Sequence, residues 1–152
     1  MSRTVADFMS SPPLTVNPET PLSEALQLLA QQKITGLPVV DGQGQLVGVI
    51  SDTDLMWQET GADPPPYIVF LDSVIFLQNP ARYEHELHKA IGQTVGEVMS
   101  SIKVTTQPEQ SLHEAAKLMH KERVRRLPVV NANHDLVGIL THSDIIRAMA
   151  GV

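Results

Sequence analysis

Apolar residues recur at helical spacing twice along the chain. Leu22, Ala25, Leu26 and Leu29 form one stripe, and Leu112, Ala115, Ala116 and Met119 form another. Thr20 is placed to cap the first helix, with Pro21 at its first position. Ser111 and Glu114 have the spacing of a capping box before the second. Pro38 and Pro128 then argue against continued helix. Two β-rich runs, residues 37–40 and 46–50, flank Asp41-Gly42-Gln43-Gly44, which is a hairpin signal. Asn131-Ala132-Asn133-His134 stands at the same place in the second half. A final helix starts near Ser51 and again near Thr141. Short extended pieces, residues 14–16 and 104–106, precede the stripes. The order is strand, helix, strand, strand, helix, and it occurs twice.

The two halves are copies. Shifting the chain by 90 positions lays residues 5–57 on 95–147 without a gap, and 19 of 53 aligned positions are identical. Leu37-Pro38-Val39-Val40 meets Leu127-Pro128-Val129-Val130, and Leu46-Val47-Gly48 meets Leu136-Val137-Gly138. One such unit is at the lower edge of what folds alone. The expected architecture is therefore a single domain of two interlocked α/β (α+β) units about a pseudo-twofold axis. Its segments are residues 1–57, an insert over 58–94, and 95–152.

Composition narrows the function classes. The chain of 152 residues has no cysteine, which excludes disulfide scaffolds, thiolate metal sites and cysteine catalysis. A net charge of −6 argues against nucleic-acid binding driven by bulk charge. The N-terminus lacks a signal-peptide run, and the most apolar stretch is about half the ~20 residues of a membrane span. A cytoplasmic protein without a membrane partner is expected. No nucleophile–base–acid set, Walker loop or Gly-x-Ser-x-Gly elbow is present. His85 and His88 lack the spacing of a metalloprotease pair, and no metal site is expected there or at His113 and His120.

The succession of Leu-Pro-Val-Val, Leu-Val-Gly and Gly-x-x-Ser/Thr-x-x-Asp, present twice, resembles a stand-alone pair of CBS domains, a Bateman module. The resemblance covers about two-thirds of the chain. It implies two βαββα units, a regulatory role and no catalysis. It also implies an adenosine ligand, such as AMP, ADP or ATP, held in clefts between the units. No obligatory cofactor is implied, and magnesium enters only as a companion of ATP. The resemblance further implies a homodimer and a regulated partner protein that the sequence does not name.

The Gly-x-x-Ser/Thr-x-x-Asp motifs carry the candidate ligand chemistry. Each runs off a strand into a helix, whose free amides and positive dipole end suit a phosphate. The resemblance implies ribose and phosphate contacts from Ser51, Thr53 and Asp54 in the first copy. In the second it implies Thr141, His142, Ser143 and Asp144. The same Ser-x-x-Asp pattern is also a capping box that needs no ligand. By the same analogy an adenine slot draws on Thr15, Val16, Ile34, Gly36, Leu37 and Pro38. The second slot draws on Thr105, Val124, Leu127 and Pro128. Several of these residues also read as ordinary core.

The sites are not expected to be equal. Residues 121–126 hold four of the eleven basic residues, whereas 31–36 hold only Lys33. Arg125 and Arg126 are thus candidate phosphate contacts, with Lys33 their weaker counterpart. The insert holds a stiff turn at residues 61–66, an apolar run at 67–77, and an amphipathic helix over 81–91 with Tyr83, Leu87 and Ile91 on one stripe. Five of the six aromatics lie in or beside it, so it either completes the core or offers an oligomer or partner surface. A protein-interaction module with vestigial pockets is the alternative to a nucleotide sensor.

Overall fold

The structure is a computed structural model and describes residues 3–62, 67–71, 73–77 and 79–152. Each copy has the expected order. In the first, α2 (Leu22–Gln32) leads to β1 (Gly36–Val40), β2 (Leu46–Ser51) and α3 (Asp52–Thr60). In the second, α6 (Leu112–Glu122) leads to β5 (Arg126–Val130), β6 (Leu136–Thr141) and α7 (His142–Ala150). The strands pair as two-stranded sheets, β5 antiparallel to β6 with Leu127 opposite Leu140. The first extended piece of each copy shrinks to one parallel bridge, Val16 with Val39 and Thr106 with Val129.

Two four-residue helices escape the sequence pattern: α1 (Val5–Phe8) and α5 (Val95–Val98). They belong to compact units that are discontinuous in sequence. One compact unit comprises residues 16–39 and 49–100, the other residues 1–15, 40–48 and 101–152. In the first unit, Val95 and Val98 join Leu22, Ala25, Leu29, Leu37, Val39 and Ile50 in the core. In the second, Val5 joins Leu112, Ala115, Met119, Leu127, Val129 and Leu140. Val5 and Val95 are equivalent under the 90-residue shift. Each copy's lead-in helix therefore packs with the core of the other copy. Main-chain bonds hold it there: Val5 N–H donates to Gln110 O at 2.9 Å, and Val95 N–H to Thr20 O at 3.0 Å.

Several local expectations change. Leu26 is 42% exposed, so the buried stripe of α2 is Leu22, Ala25 and Leu29 alone. Pro21, not Thr20, is the N-cap of α2. The Thr20 hydroxyl instead accepts from Asn17 N–H at 3.0 Å and closes the preceding turn. Ser111 does cap α6, accepting from Glu114 N–H at 3.1 Å.

The insert forms β3 (Tyr67–Phe70) and β4 (Ser73–Phe76), an antiparallel pair, followed by α4 (Pro80–Ile91). Asn79 caps α4 by accepting from Ala81 N–H, and Pro80 fills the first turn. Ile91 is 64% exposed, so its place on the expected stripe does not bury it. Residues 63–66 of the expected turn and residue 72 of the apolar run lie outside the described residues. Among the described residues, no helix is long and apolar enough to cross a membrane.

Candidate functional site

In the first copy, β2 delivers Ser51 to the N-cap of α3. Ser51 N–H donates to Asp54 Oδ2 at 3.0 Å, and its hydroxyl lies 3.2 Å from the same oxygen. The capping box is reciprocal. The next amide, Asp52 N–H, donates to Thr35 O at 2.8 Å, and Thr53 N–H donates to Asp52 Oδ1 at 2.9 Å. All four amides of this helix start, residues 51–54, are thus satisfied inside the protein. Asp54 is 4% exposed. Its other oxygen accepts from Lys89 Nζ and from Ser100 Oγ, both at 2.6 Å.

The second copy repeats the cap. Thr141 N–H donates to Asp144 Oδ2 at 2.8 Å, and His142 N–H donates to Arg125 O at 3.2 Å. Asp144 is 2% exposed, and Arg147 Nη2 pairs with its Oδ1. Both carboxylates expected at a ribose are therefore turned inward as helix caps. Thr53, His142 and Ser143 lie exposed on the first helical turns, and Lys33 is exposed at the end of α2.

The expected adenine slots are divided by packing. Leu37, Leu127 and Val16 are core residues, 1%, 0% and 7% exposed. Gly36, Pro38 and Pro128 are buried with them. The reason is that both faces of β1 and β5 are covered, and the parallel bridges pin these strands: Pro38 O accepts from Val16 N–H, and Pro128 O from Thr106 N–H. Thr15 and Ile34 stay exposed. Of the whole set, Val124, Arg125 and His142 come together in one concavity.

That concavity is open to solvent and has a volume of about 840 Å3. Ala116, Met119, Val124, Ile145 and Ile146 give it an apolar lining. His120, Lys121, Arg123, Arg125 and His142 add three full positive charges and two imidazoles. Its volume is within the range of about 300–1,000 Å3 usual for small-molecule pockets. An apolar floor under a cationic rim suits a flat apolar ring carrying an anion. Thr105 lies elsewhere, on the other flank of α6, in a smaller cavity of about 360 Å3 with Thr106, Gln107, Gln110, Glu114 and His134. Arg126, Thr141 and Asp144 line neither. His120, Ile145 and Ile146 were not among the expected contacts. The signal for His120 was its helical spacing from Ala116, ahead of the basic run; Ile145 and Ile146 follow the motif aspartate Asp144 on α7. Among the described residues, no cluster of His, Asp and Glu could hold a metal ion.

The sequence profile of the CBS domain matches residues 5–58 and 95–151. The chain is 36% identical over 149 residues to the chloroplastic CBS domain-containing protein CBSX2 of Arabidopsis thaliana, and covers 63% of its length. The same share applies to CBSX1 of that plant, at 34% identity, so the chain spans under two-thirds of these relatives. It is 35% identical over 148 residues to a CBS domain-containing protein of Dictyostelium discoideum, covering 97% of this chain and 92% of the relative. Among solved structures, CBSX2 in complex with AMP superposes with a TM-score of 0.81 at 32% identity, covering 99% of this chain and 98% of that one. The CBS domain pair of protein MJ0100, in complex with 5′-methylthioadenosine and S-adenosyl-L-methionine, gives 0.75 at 25% identity, with the same coverage.

Proposed function

This chain belongs to the CBS-domain family, and on that premise we propose that it is a regulatory module that binds AMP, ADP or ATP at its second copy. The observation that carries the proposal is the cavity of about 840 Å3 at that copy, where Lys121, Arg123 and Arg125 stand around an apolar floor. The AMP-bound relative and the adenosine-ligand complexes of the MJ0100 pair support the ligand class. The cationic rim favours the nucleotide with more phosphate charge, and magnesium would accompany ATP rather than occupy a protein site. Val124, Ile145 and Ile146 supply the apolar contact for the base. Arg125 and His142 stand where the phosphates go.

The mechanism is a population shift in a cytoplasmic binding module with no reaction of its own. A ligand with unequal affinity for two conformations favours one of them, and that conformation presents a different surface to a partner. Calorimetric titration with AMP, ADP, ATP and S-adenosylmethionine tests the reading. Micromolar binding of an adenosine nucleotide is expected. Folded protein that binds none of the four would refute it.

One observation favours the second reading, a homodimer or partner module built on the insert. On the β3–β4 hairpin, Val69, Leu71 and Val74 are 66%, 83% and 54% exposed. An isolated two-stranded hairpin is only marginally stable in water, so cover over these side chains would stabilise it. Sedimentation at micromolar concentration tests the homodimer form of this reading, since a monomer leaves the insert without a self-association role.

A further inference from the structure

The two motif carboxylates take their counter-ions from different places. In the second copy, Arg147 stands three residues after Asp144 on the same helix, and its side chain is 52% exposed. Ninety positions earlier the residue is Trp57, which offers no cation. The counter-ion there comes from the insert. Lys89 of α4, with its side chain only 10% exposed, places Nζ 2.6 Å from Asp54 Oδ1. The same ammonium donates to Val98 O at 2.9 Å and to Ser100 Oγ at 3.1 Å. An ammonium has three donors, and all three are used. Ser100 Oγ–H donates in turn to Asp54 Oδ1.

These arrangements differ in how easily a ligand could displace them. An exposed guanidinium in an i,i+3 pair contributes little and swings into solvent freely. A buried ammonium held by three acceptors leaves only if an equally strong set of bonds replaces it.

We infer that Lys89 is a built-in counter-ion that closes the first copy to adenine nucleotides, so that the chain takes one nucleotide, at the second copy. Only the nucleotide count rests on the functional reading above; the closure itself is measurable without a ligand.

The test uses the full chain. Lysines are modified by reductive methylation with and without ATP, rates are read by mass spectrometry, and ATP binding is followed by calorimetry. Lys89 is expected to react at least tenfold more slowly than the exposed Lys33 and Lys117, with no change on adding ATP, and titration is expected to saturate at one ATP per chain. Lys89 reacting as fast as Lys33, Lys89 becoming reactive as ATP is added, or two ATP per chain would each overturn the inference.

Lys89→Met adds a readout that a merely structural lysine would not move. Freeing Asp54 is expected to raise the stoichiometry to two, and a folded variant that still holds one ATP counts against the closure. Should that variant not fold, Asp54→Asn replaces it. Keeping Val98 O and Ser100 Oγ but losing its charged acceptor, Lys89 is then expected to react measurably faster than in the unaltered chain, and an unchanged slow rate overturns the inference. A chain that binds no ATP while Lys89 stays protected refutes the nucleotide reading and leaves the closure standing.

Discussion

Lys33 and Arg123 stand ninety residues apart and adopt the same left-handed backbone conformation, with φ of 55° and 56°. Each is the C-cap of its helix, and its amide donates back to Leu29 O or Met119 O. The hydrogen bond requires the conformation, and a side chain with a Cβ resists it. Lys33→Gly is therefore expected to stabilise the protein by about 0.5–1 kcal/mol, read as a higher urea midpoint at unchanged slope. Nucleotide affinity is expected to stay unchanged. The matching Arg123→Gly variant relieves the same strain but removes a cation from the cavity rim, so it is expected to gain stability and lose affinity together.

Much of this architecture was legible because duplication doubled every signal. Leu22, Ala25 and Leu29 are buried, and so are Leu112, Ala115 and Met119 at the matching positions. The exchange of lead-in helices was not legible, since a four-residue helix is too short to show a period of 3.6. Lys89 was hidden for another reason. A lysine on an amphipathic helix reads as solvent-facing, and only the approach of Asp54, 35 residues away in sequence, makes its burial tolerable. At the site, Val124, Arg125 and His142 line one cavity. Thr105 was grouped with them although α6 lies between the two cavities, a separation that exists only once the helix has docked.

Arg125 lies on the rim of the larger cavity, and its carbonyl fixes the start of α7 by accepting from His142 N–H. The main-chain bond survives truncation of the side chain, so Arg125→Ala should fold. Losing one charge-assisted phosphate contact corresponds to about tenfold in affinity, or about 1.4 kcal/mol. ATP is expected to lose more than AMP, and the salt dependence of binding is expected to flatten. Equal affinity for ATP in the variant and the parent would remove Arg125 from the site.

Asp144 is buried at 2% exposure and holds the first turn of α7 through Thr141 N–H. Asp144→Ala loses that cap and the pairing with Arg147, and is expected to cost about 1–2 kcal/mol of stability. Asn can still accept the Thr141 amide, so Asp144→Asn is expected to cost less than half as much. Thermal melts of both variants check this ordering. Titration of the folded Asn variant then tests the ribose role. A cap alone leaves nucleotide affinity within about twofold, whereas a lost ribose contact weakens it by tenfold or more.

Gly138 is required by close approach. A Cβ there would lie 2.6 Å from Met9 Sδ and 3.0 Å from Ser10 O. The sulfur ends a flexible side chain and can retreat, but the carbonyl cannot, because Ser10 and Ile139 exchange two main-chain hydrogen bonds of 2.9 and 3.1 Å. Gly138→Ala is expected to destabilise by about 1–3 kcal/mol through overpacking. Adding Met9→Ala should recover only part of the loss. Full recovery would show that the sulfur contact is the whole cost.

The pair of Lys89 and Asp54 can be apportioned by a double-mutant cycle in urea. Removing one partner leaves the other as a buried charge with no opposite charge beside it, which typically costs about 3–5 kcal/mol. Lys89→Met and Asp54→Asn are each expected near the low end of that range. Val98 O and Ser100 Oγ still hold the ammonium when Asp54 changes, and the Ser51 cap still holds the carboxylate when Lys89 changes. The double variant carries no buried charge, so its loss is expected to be smaller than the sum of the singles by at least about 1 kcal/mol. Gln58 continues to tie α3 to α4 through Lys89 O and Gly92 O in every variant. The insert helix therefore stays docked, and the cycle measures the ion pair rather than the loss of α4. Strict additivity of the two single losses would mean that the ammonium and the carboxylate stabilise the fold independently, each through its other hydrogen bonds.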